Sequence, residues 1–200
     1  LGVNTLQSEG FEGEGVSMAF FDASFAGVNT TEAFNEIFTS NRLTYAYNFV
    51  TNSDDVYNIS GNHGTRVFSI VAASLPNEYQ GVATGADYML FVTEDGPTEY
   101  RIEEYNWLIA AEKADSAGVD IITASVGYNT FDDSSMDYRY EDMDGETTIV
   151  TQAANIATSK GILVVVSAGN MGNDPWQFVT APADADSILA VGSVNADGTK

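Results

Sequence analysis

Three side chains in this 200-residue chain have types and neighbours suited to acid–base and anion chemistry. Asp22 follows Phe20-Phe21 at the end of an apolar run. His63 stands in Gly61-Asn62-His63-Gly64-Thr65, and Asn170 closes Ser167-Ala168-Gly169-Asn170 after Val164-Val165-Val166. Imidazole titrates near neutrality and so moves protons at physiological pH. A carboxamide offers two N–H donors to an anion, and a carboxylate accepts an imidazole proton. His63 is the only histidine and the chain has no cysteine. Multi-histidine and cysteine-ligated metal sites, disulfides and thiol catalysis are therefore excluded. Taken singly, each residue has an ordinary alternative: a core histidine, a turn-capping aspartate, a Gly-Asn loop start.

The elements that must position these residues are legible as short apolar runs. Residues 16–21, 88–92, 119–122, 162–166 and 188–191 read as strands buried on both faces, since they are too continuous for half-exposed ones. A helix is predicted from a Thr98 cap to about Ser116, with Ile102, Tyr105, Leu108 and Ile109 inward and Gly118 as its stop. Another spans about 146–160, with Ile149, Ala153, Ile156 and Ala157 inward and Gly161 as its stop. A third opens near Gly64 and carries Val67, Ile70 and Val71. Strands alternating with helices imply an α/β fold with a mostly parallel sheet. In such sheets function gathers at the carboxyl ends of the strands, where Asp22, Ser125-Val126-Gly127 and Ala168-Gly169-Asn170 all fall.

Composition narrows the partners. Twenty-nine acids against seven bases give a formal charge of −22, which argues against nucleic acid and against anionic membrane surfaces. A hydrophobic share of 44% marks a globular chain. No run of about 18 apolar residues is present to span a bilayer. The start at Leu1, with no signal peptide, reads as a mature or trimmed product. Residues 128–146 hold seven acids and one arginine and read as a solvated surface insertion. Asp142 and Asp144 there are candidate calcium ligands, although Asp142-Met143-Asp144-Gly145 lacks the third ligand position of an EF-hand loop.

Five windows, in this order, resemble the subtilisin-like serine proteases: Gly15-Val16-Ser17-Met18-Ala19-Phe20-Phe21-Asp22, His63-Gly64-Thr65, Ser125-Val126-Gly127, Ser167-Ala168-Gly169-Asn170, and Ala181-Pro182-Ala183 with the apolar run after it. The resemblance covers about residues 13–198. It implies a three-layer sheet with helices on both faces and peptide-bond hydrolysis through an acyl-enzyme. His63 would be the general base, Asp22 its orienting carboxylate and Asn170 the oxyanion donor. The backbone of Ser125, Val126 and Gly127 would pair with an extended substrate. With Ala168 and Gly169 it would wall the pocket for the residue before the scissile bond. The resemblance further implies peptide or protein substrates, secretion or cell-envelope location, and no cofactor for the chemistry. It sets no oligomeric state.

The departures matter as much. The family's nucleophile lies in Gly-Thr-Ser-x-x-Pro, about sixty residues past the oxyanion asparagine. This chain continues 30 residues past Asn170, and its last triplet is Gly198-Thr199-Lys200. The expectation is a partial peptidase domain over residues 1–200 that lacks the serine motif and is inactive alone. The alternative is a non-catalytic peptide-binding module. Residues 74–80 do not match the family's calcium loop, so structural calcium is left without a matching site. Ala23-Ser24 after Asp22 and Arg66 and Phe68 after the histidine also depart from the usual pattern.

Overall fold

The computed structural model describes residues 2–195 and 198–199, so Leu1 and the Lys200 of the last triplet lie outside the described residues. Along the chain run α1 (Val3–Ser8), β1 (Ser17–Asp22), α2 (Asn35–Thr39), β2 (Leu43–Asn48) and α3 (His63–Ala72). A small hairpin, β3 (Ser74–Leu75) and β4 (Tyr79–Gln80), precedes β5 (Asp87–Val92). Then come α4 (Ile102–Ala117), β6 (Ile121–Ala124), α5 (Ile149–Ser159), β7 (Leu163–Ser167) and β8 (Leu189–Val191). Six strands form one parallel sheet in the order β2-β5-β1-β6-β7-β8.

Strand periodicity divides the core into two layers. Ala19, Phe21, Met89, Phe91, Ile122 and Val164 face α4 and α5. Phe20, Tyr88, Leu90 and Val92 face the other way, toward Phe25, Phe34, Ile37 and Phe68 of α3. The expected three-layer arrangement, helices on both faces, is therefore present. Phe68 is the hub of the second layer, meeting Phe20, Phe25, Phe34 and Tyr88 at ring centroids 4.9–6.4 Å apart. Burying such a ring contributes about 1.5–3 kcal/mol by area alone. A bulky phenylalanine stands there because four other aromatic rings close around it.

That second layer stops at β1. Thr123, Val165, Leu189 and Val191 continue the same face across β6, β7 and β8, but no helix among the described residues covers them. Leu189 and Val191 are half exposed, as is Ile70 at the rim. A hollow of about 490 Å³ lies there, bounded in part by Ile70, Thr123, Val165 and Val191.

The strand read at 188–191 as buried on both faces is exposed over Leu189–Val191, and α4 opens at Ile102 behind Arg101 rather than at a Thr98 cap. The structure departs from the sequence reading in four further places. Ile102, Tyr105 and Ile109 of α4 are exposed, while Glu103, Glu104, Trp107, Ala110 and Ala114 are buried. The inward stripe is thus rotated onto small residues and acids. Ile156 of α5 is likewise exposed, and that helix starts at Ile149 behind a Thr148 cap rather than near Glu146. Residues 128–146 are a solvated insertion only in part: Asp132, Asp133, Glu141, Asp144 and Glu146 are exposed as expected, but Tyr128, Phe131, Tyr138 and Met143 join the first core layer. Finally, β2 had no signal in the apolar runs, because this edge strand mixes Thr44, Tyr45 and Tyr47 with small residues and is mostly half-buried.

Candidate active site

β1 delivers Asp22 to the carboxyl edge of the sheet, flanked by β5 and β6, and buries it almost completely. α3 opens at His63 and sets the ring against that carboxylate. His63 Nδ1 donates to Asp22, lying 2.9 Å from both Oδ1 and Oδ2. A carboxylate only accepts, so the proton sits on Nδ1 and Nε2 keeps its lone pair for chemistry. The histidine side chain is 53% exposed, so that free edge meets solvent. Its pKa is raised above the usual imidazole value, first by the hydrogen bond to Asp22, with burial and Arg66 opposing.

Gly64 permits this pairing. A Cβ there would sit 2.6 Å from the Ser24 carbonyl oxygen and 2.8 Å from Asp22 Cβ, so any side chain would lift α3 off the aspartate. The loop after β1 is then tied to the helix start. Ser24 Oγ donates to the Gly61 carbonyl at 2.9 Å, and Thr65 Oγ1 donates to that of Ala26 at 2.7 Å. The Ala23-Ser24 departure thus fills its place with a local hydrogen-bond anchor. His63 borders an open hollow with Ser24, Asn62 and Gly96.

The remaining sequence-predicted residues gather one and two strands away. Ser125, Val126 and Gly127 follow β6, while Ala168, Gly169 and Asn170 follow β7, its neighbour in the sheet. Ser125, Gly169 and Asn170 border a common hollow, a different one from that beside His63. Asn170 is exposed and leads into a single turn of 3₁₀ helix, Met171–Asn173. Asp22 and His63 are thus in contact, whereas Asn170 shares with them the edge of the sheet.

Sequence reasoning missed two supports of the 125–127 segment. Tyr128 exchanges two backbone hydrogen bonds with Ala181, at 2.9 and 3.1 Å. Its hydroxyl also donates at 2.6 Å to buried Glu94, which Thr93 Oγ1 contacts as well. The second support is Thr180, whose side chain lies between Gly127 and Gly169. A Cβ on Gly127 would overlap the threonine hydroxyl, and one on Gly169 would come within 2.8 Å of it. Neither threonine nor tyrosine stood out, because nothing in local composition shows what a distant glycine leaves room for.

One group could hold a cation by donor type. Glu94, Glu99 and Glu103 each bring a carboxylate oxygen within 4.8 Å of the others. Their oxygens are already engaged in part: Glu103 accepts from the Asp95 and Tyr100 backbone N–H groups. Burial, then mutual repulsion, pushes Glu94 up to about 8 and Glu99 up to about 7. Asp142 and Asp144 serve as turn caps, accepting from the backbone of Arg139, and of Glu146 and Thr147.

Known proteins share this chain's sequence pattern and fold. Subtilisin DY of Bacillus licheniformis is 29% identical over 198 residues, covering 96% of this chain and 61% of the relative. Subtilisin E of Bacillus subtilis (strain 168) is 28% identical, covering 98% and 45%. Among solved structures, the prenylagaramide maturation protease PagA superposes with TM-score 0.70 at 19% identity, over 98% of this chain and 60% of its own. MycP1 with its N-terminal propeptide removed gives 0.70 at 21%, over 98% and 62%. The chain therefore spans about half to three-fifths of the proteins it resembles. The sequence profile of the Subtilase family matches residues 13–200, with an aspartate–histidine pair joined at the sheet's carboxyl edge: this chain belongs to that family.

Proposed function

We propose that residues 1–200 form the part of a serine endopeptidase domain that carries the base and the oxyanion donor. The nucleophilic serine lies outside these residues, since none of their serines stands in Gly-Thr-Ser-x-x-Pro. The observation that carries the reading is the 2.9 Å contact of His63 Nδ1 with both Asp22 oxygens. In this reading Nε2 takes the serine proton as the hydroxyl attacks the peptide carbonyl, and Asp22 stabilises the imidazolium. The Asn170 amide donates to the oxyanion, and Ser125, Val126 and Gly127 pair with the substrate backbone. Histidine then protonates the leaving amine, and water releases the acyl group. The nucleophile-bearing segment packs on the bare face of β6–β8, an apolar surface of the kind that further protein covers. The substrates are peptides or proteins, and the resemblance extends to export from the cell. No described helix is long and apolar enough to cross a membrane.

The test uses protein made from the complete coding sequence, fluorescent casein and a fluorophosphonate. Turnover that the fluorophosphonate abolishes, and that His63→Ala lowers by about 10³-fold or more, is expected. The 200 residues alone should hydrolyse nothing by this route. A second reading, a peptide-binding module, draws on the substrate walls being present without a nucleophile. A coding sequence with no Gly-Thr-Ser-x-x-Pro after Lys200 would favour it.

A further inference from the structure

We infer that Ser24 is a positioning residue: its hydroxyl holds the exposed approach to α3 from beneath and so keeps the His63 ring on the Asp22 carboxylate, without touching substrate itself. The inference rests on the reading above, in which His63 is the general base, and it adds what holds that base in place.

The stretch that leads into α3 has little support of its own. Ser60, Gly61, Asn62 and His63 are all exposed. Asn62 stands at the N-cap position but makes no side-chain cap bond, so the helix start lacks the anchor that a capping side chain ordinarily supplies. Gly61 has φ +94°, a conformation that glycine adopts freely. Ser24 meets this stretch from the buried side. It is 1% exposed, and its Oγ donates to the Gly61 carbonyl at 2.9 Å, with the Ile59 carbonyl 3.4 Å away. Among the described residues, no other side chain bonds to residues 59–62.

Ser24 is itself held firmly. Ala26 N–H donates to its Oγ at 3.2 Å, which leaves the hydroxyl proton for the carbonyls before α3. Phe25 N–H donates to the Val56 carbonyl at 3.1 Å, and the Phe25 ring is buried 6.4 Å from that of Phe68. The same segment also holds the other partner, since Ala23 N–H donates to Asp22 Oδ1 at 2.8 Å. Residues 23–26 thus form a strap that fixes the carboxylate at one end and the approach to the histidine at the other. Thr65 Oγ1 ties α3 back to the Ala26 carbonyl. Hydrogen bonds weaken steeply when misaligned, and the ring depends on one nitrogen placed between two oxygens. Without the Ser24 bond that placement loosens, and a base out of line costs rate far more than it costs substrate binding. The charged groups that act on the ring are Asp22 of β1 and Arg66 of α3, so a looser ring also loses the bond that raises its pKa.

Protein made from the complete coding sequence, unaltered and as Ser24→Ala, Ser24→Cys and Thr44→Val, tests this. Turnover of a fluorogenic peptide is followed against pH. Isotope-labelled histidine rings are titrated by NMR, with the His63 signal identified by its loss in His63→Ala. Ser24→Ala should lower kcat about tenfold or more while KM stays within about twofold. The His63 pKa, and with it the acid limb of kcat/KM, should move down toward the usual imidazole value. A thiol is a weak donor, so Ser24→Cys should fall between the two, and it serves if the alanine variant fails to fold. Thr44→Val removes a comparable bond, from Thr44 Oγ1 to the Tyr88 carbonyl at 3.0 Å, and should leave kcat and the His63 titration unchanged. A folded Ser24→Ala protein with kcat within about threefold and an unmoved titration would overturn the inference, as would equal shifts in Thr44→Val. A moved titration with no turnover in any of these proteins would support the strap and sink the endopeptidase reading. Turnover that Ser24→Ala leaves unaltered, with an unmoved titration, would do the reverse. No turnover and an unmoved titration would sink both.

Discussion

The two halves of the sheet are finished to different degrees on one face. Around β5 and β1, Phe20, Tyr88 and Leu90 are sealed by α3 and by Phe25, Phe34 and Ile37. Around β6, β7 and β8 the same face presents Thr123, Val165, Leu189 and Val191 to an open hollow. The Asp22–His63 pair belongs to the sealed half and Asn170 to the open one. The half that pairs His63 with Asp22 is packed on this face, whereas the half that carries Asn170 leaves it open among the described residues. Rigid support thus comes first to the pair whose geometry is set by a single hydrogen-bonded contact.

Substitutions at matching places in the two halves should differ most. Phe68→Ala is expected to cost about 3–5 kcal/mol in chemical denaturation, because four rings close on it. Leu189→Ser, on the bare face, should change stability by less than about 0.5 kcal/mol in the 200-residue chain. Equal effects would show that the second face is not bare in solution.

The tie between the halves should respond to pH. Glu94 follows β5, and Tyr128, which donates to it, follows β6. Burial raises Glu94 to about 8 and Glu99 to about 7, and it raises Glu103 and Glu104 as well. Acids raised on folding contribute stability that is full below their unfolded pKa, near 4.5, and is lost as pH rises through the folded values. His63 is raised too, so its smaller share runs the same way: present below about 6.5 and lost above its folded value. Melting temperature should therefore fall from pH 5 toward pH 9. Glu94→Gln should flatten that fall and stabilise the protein at pH 9 by on the order of 1–3 kcal/mol. A steeper fall in the variant would refute the assignment.

Within the sealed half, Gly64→Ala should cost about 1–3 kcal/mol by overpacking. It should also bring the His63 pKa, followed by NMR of the ring protons, back down toward its usual value, since the Asp22 contact is what holds it up. An unchanged titration would mean that α3 tolerates the methyl.

The same division explains what the residues disclosed before any coordinates. β1 and β5 were legible because strands buried on both faces are written as unbroken apolar runs, and β7 carries such a run although one of its faces is only partly buried. The Asp22–His63 contact was legible because the aspartate ends a strand and the histidine opens a helix, while Asn170 lies three residues past β7 at the same edge of the sheet. The inward face of α4 was not. Glu103 and Glu104 are buried there because backbone N–H groups of Asp95, Tyr100 and Val150 and the Tyr138 hydroxyl donate to them. Hydropathy does not register backbone or hydroxyl donors, whether close by as for Glu103 or 34 and 46 residues away as for Glu104, so the acids looked outward and Ile102 and Tyr105 inward. Residues 128–146 were misjudged for a related reason: Arg101 lies over the Tyr138 ring, 4.2 Å from its centroid, and Tyr138 and Phe131 pack against each other. The aromatic side of the stretch thereby joins the core while most of its acids stay exposed.

The sheet order has a consequence for how the chain matures. β1, which ends in Asp22, is flanked by β5 and β6, so it pairs with residues up to Ala124 and has no neighbour from its own region of sequence. During synthesis the aspartate and histidine are both made within the first 63 residues, yet the strand that aligns one of them gains its second flank only about sixty residues later. Pairings of such long sequence separation form slowly, and loop closure must precede them. The Asp22–His63 contact is therefore expected late in folding, its strand brought into register only after most of this sheet has been translated.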